Sequence, residues 1–319
     1  MPSNLDYDYI HYRDQVVEAL ADLPQGNILA ETLIAERNYL HLVYPHQVEG
    51  VKEIQLKEGY GPQSLTDEVL DIHFQAYLDA VINPQILSGK LTDGTNPGDY
   101  DERKVRLSGA GVGGCWSRTE NTLTLEVGPT SYPRYRLDLT RSPLEMLKLM
   151  LRGIKTYQDP YAYFARGIGV AVIPLTTEGN VYLGERSQVD CSGMLNFVAG
   201  WATFSPVVAE INFYEDAQRE LQEEMGIDMV LDDSNTRFIG ISSNPWTGEA
   251  DLVFVVQTSI GDDHFKSGQW EEHARLVRLS NKREAEVLLE KGLLPGESEP
   301  KSLMFGSRLG LEYFIQHHW

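Results

Sequence analysis

The sequence predicts an α/β protein, a mixed sheet sandwiched between helices and preceded by a smaller α+β domain. Three observations predict it. Short apolar strands interleave with one central and one terminal helical pattern in the C-terminal half, the order of a sheet covered on both faces. The central pattern, Phe213–Met225, is amphipathic with helical period. The length, 319 residues, accommodates two domains and a sizeable core.

From the amino terminus, residues 1–60 read as an extension with helical patterns around 13–22 and 26–37, in which Tyr7, Tyr9 and Tyr12 are packing residues. Residues 61–158 read as the α+β domain. Thr66 caps a helix over 67–82, where Val69, Ile72, His73, Ala76 and Ala80 recur at helical spacing and Pro84 follows the end. His73 there is a packed core histidine. The stretch 93–101, rich in Gly, Asn and Asp, is a loop.

Strands are expected at 104–107 and 122–127, flanking the glycine-rich stretch Ser108 to Gly114. Its glycines contain G-x-G-x-x-G spacing, but an alternating strand follows where a pyrophosphate site needs a helix N-terminus, so the stretch is a connection. Residues 128–134 end the second strand, and 143–154 form a linker helix. Residues 159–319 form the C-terminal domain. It has strands at 167–174 and 180–186 as a hairpin, then 195–198, the central helix, strands at 238–242, 252–257 and 274–279, and a closing helix over 306–317.

A formal net charge of -20 argues against nucleic acid or an anionic membrane as a partner, since phosphates need basic footprints. It leaves cationic metals and small anions escorted by them. Cys115 and Cys191 lie far apart without metal-ligand spacing, which indicates neither a disulfide framework nor a zinc site and predicts a reducing, cytoplasmic setting. The amino terminus lacks signal-peptide character and no segment reaches transmembrane length, so a soluble protein is expected.

The central helix carries the functional signal. Asn212 followed by Glu215 is a capping-box start, and Gly226 stands where an αL cap belongs. Tyr214, Ala217, Leu221 and Met225 share a core-facing stripe, with Asp216, Glu220, Glu223 and Glu224 in the neighbouring arc. Like-charge pairs one turn apart cost about 0.2–0.5 kcal/mol each. They also crowd the helix end whose dipole favours cations. Arg219 relieves part of this by pairing with Glu215 or Glu223, and a bound cation would relieve the rest. A solvated acidic face is the ordinary reading of a Glu-rich helix. The order of residues argues otherwise: residues 219–227 fit R-E-U-x-E-E-x-G-U, with U aliphatic, at every defined position.

This pattern resembles the second half of the box that defines Nudix hydrolases, which cut nucleoside diphosphates joined to another moiety. The resemblance implies the Nudix α/β/α sandwich, Glu223 and Glu224 as divalent-metal ligands, Glu220 as a ligand or acid–base group, and Arg219 as the residue that orients the carboxylates. The implied ion is Mg²⁺, with Mn²⁺ as an alternative; a hard cation of this kind suits a carboxylate set. The first half of the pattern, G-x5-E-x7, does not fit: Ile211 and Ser205 stand where its Glu and Gly belong. Aligning 197–200 as strand end and glycine turn, with an insertion in the 201–209 loop, makes the Gly200 carbonyl a ligand and Glu210 the stand-in carboxylate.

Segments 104–107, 125–132, 167–171, 186–189 and 238–244 are similar to the UDP-glucose-pyrophosphatase type within that superfamily, in its human and plant members. This implies UDP-glucose, cut to UMP and glucose 1-phosphate, as the favoured substrate. ADP-ribose or another nucleoside diphosphate derivative is the alternative, as is a catalytically silent sensor or interaction module. The same resemblance makes Tyr132 and Asn244 base or sugar contacts. Arg186, at a strand end, either holds a phosphate or caps a solvated edge. Glu271 and Glu272 are candidates for a further base, or else surface acids. The expected partner is a small nucleoside diphosphate compound, and an oligomer is left open.

Overall fold

The computed structural model describes residues 4–23, 26–35, 44–48, 50–63, 76, 79–80, 83–88, 103–108, 116–187, 191–266 and 273–319. The glycine-rich stretch from Gly109, Cys115, the 93–101 loop, and most of the 67–82 helix with His73 lie outside the described residues. So do Glu271 and Glu272.

The chain is α/β, as the sequence predicts. Helices α1 (Asn4–Leu20) and α2 (Gly26–Ala35) lead into β1 (Tyr44–Gln47) and β2 (Glu53–Glu58). A short α3 (Asn83–Leu87), then β3 (Arg103–Leu107), β4 (Trp116–Arg118) and β5 (Thr122–Ser131) follow. Helices α4 (Tyr132–Thr140) and α5 (Pro143–Tyr157) come next, then β6 (Ile168–Leu175), β7 (Val181–Arg186), β8 (Leu195–Asn196) and β9 (Val198–Trp201). The chain closes with α6 (Phe213–Met225), β10 (Thr236–Ser243), β11 (Ala250–Gln257), β12 (His273–Leu279), α7 (Lys282–Lys291) and α8 (Phe305–His317).

The large sheet runs β1-β10-β11-β6-β7-β12, with β9 paired to β6 and β8 to β7. Only β11 and β6 are parallel; the other pairs are antiparallel. Alternation along β11 sends Leu252, Phe254 and Val256 to the face covered by α6, and Val253 and Val255 to the face covered by α7 and α8. The expected hairpin of β6 and β7 is open: the two pair only at Leu175 and Val181, and β9 and β8 fill the gap beyond. Among the described residues no helix is long and apolar enough to cross a membrane.

Strands β2 and β4 and the short α3 were not expected from the sequence, and three further elements depart from it. Residues 44–47 lie in the expected extension, yet they form an edge strand of the large sheet against β10. Residues 128–134, expected to end a strand, extend β5 to Ser131 and then turn into α4, with Pro133 inside its first turn where a missing N–H costs nothing. Helix α7 was not expected; Asn281 caps it by accepting from Glu284 N–H at 3.1 Å, and Gly292 ends it at φ 68°. Tyr9 and Tyr12 pack against the α1/α2/α5 core as expected, while Tyr7 is exposed.

The small sheet, β2-β5-β3 with β4 on β5, is welded to the large one through β3. Val105 N–H donates to Ala202 and Leu107 N–H to Arg166. Val105, Leu107, Leu123, Leu125 and Val127 share one core with Ile168 and Val170, so this core runs across the boundary expected at residue 158. Beneath it, the fully buried Arg106 donates to the carbonyls of Tyr161 (2.7 Å), Leu107 (3.1 Å) and Phe164 (3.3 Å). Asp159 pairs with Arg166 at 3.4 Å and accepts from Tyr161 N–H and the Tyr60 hydroxyl.

Asp138 on α4 is buried and accepts from Ala165 N–H at 2.7 Å. Burial pushes its carboxyl up to about 6, against the opposing pull of Arg141. A carboxyl raised on folding contributes stability that is present below its unfolded value near 4 and lost as pH rises through 6. Asp138→Asn should therefore gain on the parent by up to roughly 3 kcal/mol between pH 4 and 7. Urea titrations at both pH values measure this; a difference unchanged with pH would mean the carboxyl ionises freely.

Candidate functional site

Helix α6 forms as its sequence dictates. The Asn212 side chain accepts from the N–H groups of Tyr214 and Glu215, and its amide donates to the Glu215 carboxylate at 2.9 Å. Gly226 ends the helix at φ 61°. Phe213, Ala217, Leu221 and Met225 are buried in the core that lines this face of the sheet. Burying that stripe sets the rotation of the helix, and the rotation turns Asp216, Glu220 and Glu224 toward β9 (Val198–Trp201).

Those carboxylates are held individually. Glu224 is 2% exposed; its Oε1 accepts from Ala199 N–H at 3.2 Å and its Oε2 from His273 Nε2 at 2.9 Å. Glu220 fills the space that a side chain on Gly200 would occupy, so a Cβ there would collide with the carboxylate. Asp216 accepts from Thr203 N–H. Arg219 lies at 2.7 Å from Glu220, 3.2 Å from Glu223 and 3.3 Å from Asp216. Burial pushes the Asp216 carboxyl up, and Arg219 pulls it back in part. Burial opposes the charge of Arg219, but Glu220, Asp216 and Glu223 together hold it above its ordinary value. At the helix C-terminus, His264 Nε2 lies 2.8 Å from the Met225 carbonyl, which meets an end that has no basic residue of its own.

A cavity of about 100 Å³ opens on the other side of β9. Tyr132, Tyr135 and Trp201 wall it, with ring centroids 4.8–6.0 Å apart. Trp201 lies on Gly167, where a Cβ would collide with the indole. Arg186, Asn196, Glu249 and Asp251 supply polar atoms. Asp251 sits beside two glycines: a Cβ on Gly169 would stand 2.9 Å from its Oδ1, and one on Gly306 2.5 Å from its Oδ2. Burial pushes the Asp251 carboxyl up to about 7. The Gly200 carbonyl oxygen stands 2.6 Å from the same Gly169 position, so this oxygen and the Asp251 carboxylate converge over one residue.

The structure brings Glu220, Glu224, Arg219 and Gly200 together, and gathers Tyr132 and Arg186 at the cavity. Glu223 is exposed and turned to Arg219. Among the described residues no three His, Cys, Asp or Glu side chains stand together as a metal cluster. The donor set nonetheless fits a hard cation, because two carboxylates and a Gly-bared backbone adjoin with no sulfur ligand among them. Glu210, the expected stand-in, accepts from the Ser205 hydroxyl at 2.7 Å within its own loop. Asn244 lies outside the cavity lining; its Oδ1 accepts from Trp246 N–H at 2.9 Å and organises the turn between β10 and β11. His273, His264 and Asp251 were not foreseen. Only the Glu249-x-Asp251 alternation ahead of an apolar strand was available in the sequence to signal one of them.

No protein-family model matches the chain, and no curated protein does. Among solved structures the chain is similar to the NUDIX domain of Shewanella oneidensis NrtR complexed with ADP ribose, at 15% identity and TM-score 0.32 over 51% of this chain and 95% of that one. It is similar to a MutT protein from Methanosarcina mazei at 19% identity and TM-score 0.30, over 47% of this chain and 93% of that one. An ADP compounds hydrolase matches at 22% identity and TM-score 0.31, over 47% and 74%.

The fit of Glu220 against Gly200 is directly testable. Gly200→Ala should displace the carboxylate and destabilise the protein by about 1–3 kcal/mol, the usual range for overpacking. Urea unfolding measures it, and an unchanged midpoint would mean that Glu220 does not rest there in solution.

Proposed function

We propose that the chain is a metal-dependent Nudix-type hydrolase that cuts a nucleoside diphosphate linked to another moiety. The observation that carries this reading is the placement of the R-E-U-x-E-E-x-G-U residues. Arg219 is ringed by its carboxylates, Glu220 rests on Gly200, and Glu224 is fixed between β9 and β12. Glu220 and Glu224, with Glu223 after it leaves Arg219, would hold Mg²⁺ or Mn²⁺. When bound, the ion would neutralise diphosphate oxygens and lower the pKa of a water.

The chain's own residues do the rest. Arg219 shields three carboxylates from one another until a cation arrives. Arg186, on the cavity wall, would meet a phosphate, and Tyr132, Tyr135 and Trp201 would offer faces for a planar ring or a sugar. Glu271 and Glu272, just before β12, remain candidates for a further base. UDP-glucose, released as UMP and glucose 1-phosphate, is the substrate favoured by the short segments similar to that type, with ADP-ribose the main competitor.

Glu223→Gln and Glu224→Gln should each abolish turnover while leaving the fold intact, because an amide keeps the size and loses the charge that binds the cation. Circular dichroism and a product assay check both halves of the statement; full activity in both variants would remove the metal helix from the mechanism. A panel of UDP-glucose, UDP-galactose, ADP-ribose, NADH and dinucleoside polyphosphates, compared by kcat/KM with Mg²⁺, tests the substrate. UDP-glucose should lead ADP-ribose by about tenfold or more, as expected of a pocket that pairs a base edge. A lead by ADP-ribose or NADH would overturn the UDP-sugar reading alone, and no turnover across the panel would favour the silent sensor.

A further inference from the structure

His273 lies outside every pattern that marks the helix, and it is 4% exposed at the first position of β12. Its Nε2 stands 2.9 Å from Glu224 Oε2, and among the described residues its Nδ1 has no hydrogen-bond partner. The two nitrogens are therefore not equivalent. A carboxylate accepts only, so Nε2 must carry the proton. The ring is also given its space: Gly184 on β7 faces it, and a Cβ there would collide with the imidazole. Glu224 thus has one oxygen fixed by Ala199 N–H on β9 and the other by the ring at the start of β12.

We propose that His273, in the space left by Gly184, is a positioning residue that fixes the rotamer of Glu224 for divalent-cation binding. The inference rests on the reading of Glu224 as a ligand. Without the imidazole, Glu224 keeps only the Ala199 bond and can swing about its outer torsions. Loss of a hydrogen-bond partner that orients a ligand weakens metal affinity by about 10–100-fold.

Mn²⁺ binding to the full chain, followed by electron paramagnetic resonance without any substrate, tests this. His273→Leu and Gly184→Ala should each weaken Mn²⁺ about tenfold or more, the latter by pushing the ring off Glu224, whereas His273→Gln, which restores an N–H donor, should recover most of the affinity. Parent-like affinity in His273→Leu together with weakened affinity in Glu224→Gln would overturn the positioning role and leave the metal helix standing. Parent-like affinity in Glu224→Gln would instead overturn the ligand reading. Should the leucine variant not fold, imidazole ¹⁵N shifts of the parent protein decide the point. A proton on Nε2, with the His273 signals moving as Mg²⁺ is added, is expected; a proton on Nδ1, or no movement, overturns the proposal.

Discussion

The structure depends on how α6 is pressed against β9. An amphipathic helix of this size ordinarily turns its acids to water, but here the buried stripe of Ala217, Leu221 and Met225 sets a rotation that leaves Glu220 and Glu224 almost wholly enclosed. Enclosing carboxylates is costly unless each finds a partner. The chain supplies them one by one: the Ala199 N–H on β9, the Arg219 guanidinium from the same helix, and the His273 ring from β12. Gly200 is required because the remaining space belongs to a carboxylate, and the splay between β6 and β7 is required because β9 and β8 occupy it. Local order and sheet topology are therefore two aspects of one packing problem.

A second buried polar cluster, distant in sequence, fixes what lies on the cavity side. Arg106 from the small sheet spends its donors on backbone carbonyls of 107, 161 and 164, and Asp159 gathers Arg166, Tyr60 and the Tyr161 N–H. Replacing such groups with apolar ones is often neutral in energy, so their value lies in geometry. The bonds to the 161 and 164 carbonyls hold the 161–166 segment at one height against β3, and the segment leads directly into Gly167, under Trp201. Asp138 ties α4 to the same segment through Ala165 N–H, which brings Tyr132 and Tyr135 to the indole. The aromatic wall of the cavity is in this way a consequence of the polar cluster behind it.

What was legible in the sequence follows from the range of the interactions. Helix α6 was readable to its end residues because its caps and its apolar period are local, and the C-terminal strands were readable because buried strands of a covered sheet are apolar runs. Strand β1 was not: its pairing depends on β10, almost two hundred positions later. Helix α4 was hidden because Pro133 and Gly128 ordinarily mark a turn, and only the placement of the Pro in the first turn makes it compatible with a helix. At the site, the four motif residues were readable from their order. His273, His264 and Asp251 were not, since each acts through a contact with a residue far away in the chain. Glu210 shows the reverse case, a residue near in sequence to where a ligand was wanted but drawn into its own loop by Ser205.

The distribution of charge completes the physical picture of the site. One face of β9 carries the α6 acids with a single guanidinium among them, and the other face carries Glu249 and Asp251 with Arg186 on the cavity wall. An anion approaching such a site meets acids on both sides of the strand, in a chain of net charge -20. Two arginines do not offset that field, because Arg219 is already committed to three carboxylates. On the proposed function, a diphosphate would need cations that replace Arg219 as the partner of Glu220 and Glu223. The same acids that would repel a bare phosphate would attract the ion that carries it, so on this reading the bound cation raises the affinity for the diphosphate and the diphosphate raises that for the cation.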